Sequence, residues 1–436
     1  MEAEGQWQIS EREICWSVAF IAAWSIIILL YLKLWHRPQR LKSMLQKQGI
    51  NGPKPSFPFG NVSEMQQINQ PPSLSLEALD EWAYSLYPYF HTWKQRYGPV
   101  FMYSTGTKQH LYVEIPELIK SIGDGILMSN GPNWTFQRNL LAPEFFQSKI
   151  MENKELWKLQ KEVEMMILKV IKDREADNQK SGTHENQKDL LQIILEGAAS
   201  ATTDTSRKGI FRPRYNINQL ILDICKNVYF AGSESTALAT IWTLLLLALH
   251  PEWQQRVRSE IMETYENMLT MVIQESLRLY GPSTMATREV LANEVKLGEH
   301  VLPKGINMWL FTLALHRDPD NWGPDAREFK PERFAGGVSA ACKYPQVYIP
   351  FGLGSRICLG QNFAMLQMKE VLCLLLSNFS FAVSPNYCHC PVDGLLLMPK
   401  YGVRLLASKV HETCCIVKPK TVQGQDLLQL LHRCMR

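Results

Sequence analysis

The ten cysteines stand at irregular intervals from Cys15 to Cys434 and include no CxxC element, so a structural zinc ribbon is not expected. Spread through 436 residues, they are also too dilute for a disulfide-stapled mini-domain. No internal repeat appears at a solenoid period, and no nucleotide- or flavin-binding motif is visible. Charge of one sign is scarce: 46 Lys and Arg against 42 Asp and Glu leave a net +4, too mild for a nucleic-acid binder. The slightly negative mean hydropathy excludes a polytopic membrane protein and leaves room for a single span. Apolar residues are plentiful at 46%, which excludes a mostly disordered chain and supplies a core for a large helical domain, or for two or three smaller ones.

From Ile14 to Leu32 the chain is strongly apolar and carries no charged residue. As a helix this run would cover roughly 28 Å, close to the hydrocarbon thickness of a bilayer. Trp16, Tyr31 and Trp35 sit near its ends, where amphipathic rings prefer the interface. Glu2, Glu4, Glu11 and Glu13 precede it, whereas Lys33, Arg37, Arg40, Lys42 and Lys47 follow it. The positive-inside rule then places the C-terminal side in the cytosol, where cysteines stay reduced. A cleaved signal peptide fits worse, because its positive charge should come first. Residues 1–35 are therefore expected to be a membrane anchor. Residues 36–60, basic and rich in proline (Pro53, Pro55, Pro58), are expected to be a stiff hinge.

The body, 61–410, reads as mainly α with a minor β-sheet. Leu156, Leu159, Val163, Ile167 and Val170 recur at helical spacing between Lys154 and Arg174. Leu220 to His250 reads as a central helix buried on most sides, Pro251 starts another, and Met268 to Tyr280 is stopped by Gly281-Pro282. Val295 to Ile306 holds short strand-like pieces.

The segment richest in chemistry is Phe351-Gly352-Leu353-Gly354-Ser355-Arg356-Ile357-Cys358-Leu359-Gly360, which leads into an apolar helix. Free N–H groups and the positive dipole end of a helix favour a thiolate at such a cysteine. Gly352, Gly354 and Gly360 let the backbone approach a flat partner, and Arg356 would reach an anionic group beside it. Together they suit ligation of haem iron by Cys358.

This FxxGxRxCxG run resembles the haem-binding loop of the cytochrome P450 superfamily. Glu275-Ser276-Leu277-Arg278 resembles that family's ExxR element, and Phe329-Lys330-Pro331-Glu332-Arg333-Phe334 its PERF element. Ala231-Gly232-Ser233-Glu234-Ser235-Thr236 resembles its oxygen-activation segment, with Ser235 where the family usually has threonine. Trp134 and Arg138 match a WxxxR that holds a haem propionate, and Arg288 and Arg356 match two further propionate-binding arginines.

The resemblance implies a P450-like helical fold behind an N-terminal transmembrane helix, with haem b held by Cys358. Phe351, Gly354, Arg356 and Gly360 would belong to the haem-binding loop. Glu275, Arg278 and Arg333 would form a buried charge network bracing it. Ala231 and Gly232 would line an oxygen groove, and Glu234 and Ser235 would relay protons. Electrons would come from NADPH through a separate flavoprotein reductase, and the protein would sit in the endoplasmic reticulum membrane. GINGP at 49–53, PYFHTWKQRYG at 88–98 and FAGSEST at 230–236 resemble the plant branch with gibberellin-modifying diterpenoid oxidases. A small apolar substrate, a terpenoid such as a gibberellin, follows from that likeness.

Three departures stand out. The intervals from Arg138 to Ala231 and from Ser235 to Glu275 are far shorter than the family uses, and Glu266-Asn267-Met268 reads like a splice. Residues 411–436 form an atypical tail with Cys414, Cys415 and Cys434. They raise an alternative, a shortened haem-binding variant without monooxygenase activity. A reductase-independent isomerase or dehydratase is a third reading, disfavoured by the Glu234-Ser235 pair. His91, His316 and His389 are given no role, and Cys388-His389-Cys390, too tightly spaced for one tetrahedral metal site, is read as loop.

Overall fold

The computed structural model describes residues 11–68, 82–119, 161–162, 164–174, 191–192, 217–263, 268–354, 357–410 and 420–422. Trp134, Arg138, Arg356 and nearly all of the 411–436 tail lie outside these residues. The chain divides into two compact units, one of residues 1–127 and 238–436, the other of 128–237.

In the first unit, helix Glu11–Tyr31 continues through a π-helical turn, Leu32–His36, into helix Arg37–Gln46. Phe20, Ile21, Trp24, Ile28, Leu29 and Leu30 are all exposed. Two helices of the described residues are long and apolar enough to cross a membrane, Phe20–Gln46 and Val228–Leu249, and the second is partly buried in the protein. The segment read as a hinge carries its own packing. Leu45 and Ile50 are buried with Met102 and Leu111, and Met102 donates its N–H to the Asn51 carbonyl at 3.0 Å. A Cβ on Gly52 would stand 1.8 Å from the Met102 carbonyl oxygen, so only glycine allows this approach.

Four small sheets are present among the described residues, rather than one. The largest has strand order β1-β2-β6-β3: β1 is Val100–Thr105, β2 Lys108–Val113, β3 Met285–Glu289 and β6 Ile306–Phe311. β2 and β6 run parallel, with Gln109 opposite Ile306; the other two pairings are antiparallel. β4 (Glu294–Leu297) and β5 (His300–Pro303) form a hairpin over the Val295–Ile306 region read as strand-like. β7 (Phe379–Val383), β10 (Leu405–Lys409) and β11 (Lys420–Val422) form a three-stranded sheet, and β8 (Pro391–Asp393) pairs with β9 (Leu397–Pro399).

The helices match the periodic segments closely. Ile217–Leu249 is the long helix, Pro251–Glu263 follows with proline at its start, and Met268–Tyr280 ends at Gly281. Gln361–Asn378 follows the cysteine loop. Trp242, Leu244, Leu245 and Leu247 of the long helix pack with Leu277, Tyr280, Leu372 and Leu376 in the larger core cluster. Burial along this helix is interrupted: Ile221 and Leu222 are buried near its start, Val228, Tyr229 and Phe230 are exposed, and burial resumes from Leu238. In the second unit, helical residues 164–174 bury Ile171 against Ile221, while Met165, Met166 and Val170 are exposed.

Candidate haem-thiolate site

Cys358 is exposed, at the end of a turn whose backbone closes on itself. Its N–H donates to the Phe351 carbonyl at 2.8 Å, and the Ile357 N–H donates to the Gly354 carbonyl at 3.1 Å. Gly352 and Gly354 have φ of 75° and 67°, the left-handed region that a side chain would strain. Phe351 and Leu353 anchor the turn in the two core clusters. The helix Gln361–Asn378 starts three residues after Cys358, with Gly360 at its N-cap and no side chain capping it. Its first-turn N–H groups, of which that of Gln361 donates to the Cys358 carbonyl at 3.4 Å, and its dipole lie beside Cys358 in the chain.

Around the sulfur the chain shows apolar groups to solvent. Ile357, Leu359, Phe363 and Leu366 are all exposed, Leu359 completely so. Four large apolar side chains clustered in sequence about an exposed cysteine are the signature of a face built to be covered by an apolar ligand. A Cβ on Gly360 would meet nothing within 4 Å. A soft sulfur donor, an apolar surround and glycine clearance fit a haem whose iron Cys358 would hold.

Behind the loop lies the charge network. Arg278 donates from Nε and Nη2 to the two oxygens of Glu275 at 2.7 and 2.8 Å, and both side chains are wholly buried. The i, i+3 spacing on one helix makes this bidentate pair possible. The Glu275 carboxylate also accepts the Lys330 backbone N–H at 2.9 Å and lies 3.4 Å from Arg333 Nε. Arg278 further donates to the carbonyls of His316, Ala326 and Glu328, and Arg333 to those of Trp322 and Asp325. Arg333 also pairs with the Asp325 carboxylate at 2.7 Å. Hydrogen bonds from Lys330 and then Arg333 hold the Asp325 carboxyl down at about 2, against the opposing effect of burial.

The other expected residues are placed as follows. Ala231, Gly232, Glu234 and Ser235 lie on the long helix in the second unit, and Cys358 lies in the first. Ser235 Oγ donates to the Ala231 carbonyl at 2.6 Å, a local backbone bond, and Glu234 is exposed. A Cβ at Gly232 would meet nothing within 4 Å, so steric contact does not demand glycine there. Arg288 is half-buried on β3, with Nη1 donating to the Thr287 carbonyl at 2.8 Å.

The sequence model described as Cytochrome P450 matches residues 151–407. The chain belongs to the cytochrome P450 family. It is 34% identical to Cytochrome P450 714A2 of Arabidopsis thaliana over 519 aligned positions, covering 89% of this chain and 97% of the relative. It is 35% identical to Cytochrome P450 714C2 of Oryza sativa subsp. japonica, covering 86% and 94%. It is 31% identical to Cytochrome P450 714B3 of Zea mays, covering 91% and 96%. The 519 aligned positions exceed the 436 residues here, so the alignment passes through stretches that the relative has and this chain lacks. P450 membership implies a haem monooxygenase whose iron is held by a cysteine.

Two residues supporting this candidate site carry no sequence signal. His316 and Tyr348 tie the ExxR helix to the segment entering the loop. Tyr348 donates its hydroxyl hydrogen to the Gln274 carbonyl at 2.9 Å. His316 bonds the Arg278 carbonyl and the Ile349 N–H, partners 38 and 33 residues away in sequence. No local spacing marks such a residue; only the folded chain brings its partners together. His389, likewise given no role, is a buried packing residue bonded to Tyr387 and Tyr280.

Proposed function

We propose that the chain is a membrane-anchored haem-thiolate monooxygenase, with Cys358 as the residue that would hold the haem iron. The observation that carries this reading is the exposed cysteine in its apolar surround, closed by the Phe351 carbonyl and backed by the Glu275–Arg278–Arg333 network. When bound, haem supplies reductive activation of dioxygen and delivery of one oxygen atom to substrate. Trp134, Arg138, Arg288 and Arg356 would hold its propionates. Ala231 and Gly232 would face the oxygen-binding side. Glu234 and the Ser235 hydroxyl would pass protons inward; Ser235 gives up its bond to the Ala231 carbonyl to do so. Serine lacks the methyl that fixes a threonine rotamer, so this hydroxyl turns more freely.

The remaining assignments follow the same reading. Electrons come from NADPH through a flavoprotein reductase. Ile14–Leu32 anchors the protein in the endoplasmic reticulum membrane with the catalytic body in the cytosol. The substrate is a small apolar molecule, a terpenoid such as a gibberellin.

The decisive test is the absorption spectrum of the reduced full chain exposed to carbon monoxide. The thiolate-type band is expected in the wild type and in Cys388→Ala, and its loss in Cys358→Ala. Retention in Cys358→Ala would sink the ligand assignment.

A specific observation favours a second reading, that of a shortened variant impaired in turnover. Met165, Met166, Val170, Val228, Tyr229 and Phe230 are exposed at helical positions within the short interval from Arg138 to Ala231, and the alignment with the relatives outruns the chain. Haem content per protein and reductase-supported oxidation, measured beside a full-length relative, separate the two.

A further inference from the structure

His316 is the penultimate residue of helix Thr312–Arg317 and is buried. Its ring nitrogens have opposite duties. Nδ1 lies 3.1 Å from the Arg278 carbonyl oxygen, which can only accept, so Nδ1 must carry the hydrogen. Nε2 lies 3.0 Å from the Ile349 N–H, which can only donate, so Nε2 must offer its lone pair. The two partners leave one tautomer, and it is neutral. Burial first, then the Arg278 guanidinium, pushes the imidazole down to about 3, in keeping with that state.

The connections run in both directions from this ring. Arg278 donates through Nη1 to the His316 carbonyl, so histidine and arginine are doubly linked, and Arg278 is locked to Glu275. On the other side Ile349 stands two residues before Phe351, whose carbonyl receives the Cys358 N–H. Gly352 donates to the Ile349 carbonyl at 3.0 Å, which carries the position of Ile349 into the turn. Tyr348 lies against the imidazole, with ring centroids 5.6 Å apart. The ring therefore spans the gap between the charge network and the cysteine turn with one donor and one acceptor.

We propose that His316 is a positioning residue that sets the place of the Cys358 turn by tying Ile349 to Arg278. This proposal rests on the reading of Cys358 as the haem ligand. A leucine of similar bulk would strand the Arg278 carbonyl and the Ile349 N–H, whereas a glutamine amide offers a donor and an acceptor again.

The test uses the full chain and the variants H316L and H316Q, with two measurements. Hydrogen exchange, read by mass spectrometry, should rise roughly tenfold in H316L across residues 345–358 and stay unchanged across β1–β2, the size expected for one lost buried hydrogen bond. In the haem-loaded protein, H316L should lose most of the thiolate-type carbon monoxide band. H316Q should keep wild-type exchange and band. Unchanged exchange and band in H316L would overturn the proposal, as would H316Q behaving like H316L. If H316L unfolds throughout, H316Q decides: native protection at 345–358 supports the tie, and loosening confined to that segment refutes it. Cys358→Ala in parallel keeps the two readings apart. Should it retain the band while H316L still loosens the segment, the ligand assignment fails and the tie stands.

Discussion

Glu275 is the residue on which the loop's support converges, because one carboxylate holds two arginines and a backbone N–H. Replacing it with glutamine keeps the shape but leaves Arg278 as a buried charge without its partner. Removal of one member of a buried pair costs about 3–5 kcal/mol, a large part of a typical margin of about 5–15 kcal/mol. Glu275→Gln should therefore shift the urea midpoint sharply downward and lower haem retention. A midpoint within error of wild type would show that the network is not what holds this region. Gly52→Ala is a second test at this scale. The new methyl meets the Met102 carbonyl, and the strand or the preceding segment must move, at about 1–3 kcal/mol or more. The same measurement reads it.

At the scale of elements, the boundary between anchor and body can be located by truncation. Leu45 and Ile50 are buried beside Met102 and Leu111, whereas the described side chains from Phe20 to Leu34 are exposed. Deleting residues 1–36 should release the protein from membranes with its thermal midpoint and spectrum intact. Deleting residues 1–50 also removes two buried aliphatic side chains, worth roughly 1.5–3 kcal/mol each. That truncation should destabilise the body by several kcal/mol and loosen β1–β2 in hydrogen exchange. Equal stability of the two truncations would show that 37–50 contributes nothing to the body. A prolyl-rich, basic sequence reads as a linker because its composition lacks periodicity. What composition cannot report is that Gly52 permits backbone contact with β1, a pairing made with a strand some 50 residues on.

For the whole molecule, acid should act through buried histidines. Burial holds His110 and His389 down at about 4 and His316 at about 3, with Lys108, Arg317 and Arg278 adding to each shift. Between about pH 6.5 and 4 the unfolded chain binds protons that the folded chain refuses, so stability falls as pH drops. Each histidine contributes up to about 1.4 kcal/mol per pH unit in that window. Asp393, raised to about 6 by burial, opposes them, because the folded state is the one that protonates between about pH 6 and 4. Glu114, likewise raised by burial, opposes them too, and three histidines against two carboxyls leave a net loss on acidification. Urea midpoints at pH 7 and pH 5 should differ clearly, and His389→Gln should make the slope shallower; a flat profile would contradict the buried neutral rings. The short intervals lead to a second expectation at this scale. If the exposed Met165, Val170, Tyr229 and Phe230 mark lost covering helices, grafting the relatives' equivalent segments should raise haem content and protease resistance. Equal haem content without the graft would show a compact working enzyme.

The helices Pro251–Glu263, Met268–Tyr280 and Gln361–Asn378 were legible in the sequence, because helical periodicity, a proline start and a Gly-Pro stop are local signals. The cysteine loop was legible too: its glycines and its place before an apolar helix lie within ten consecutive residues. The Glu275–Arg278 pair needed only i, i+3 spacing on one helix, whereas Arg333 entered through likeness to a family pattern. Tertiary structure alone decided the rest. Among the described residues it split the minor sheet into four, buried the proline-rich segment through Leu45 and Ile50, and placed His316 between Arg278 and Ile349. The physical reason is the same in each case. Periodicity and capping are short-range and written in neighbouring residues, but strand partners and the two ends of a hydrogen-bonded ring are chosen by which distant surfaces the core brings together.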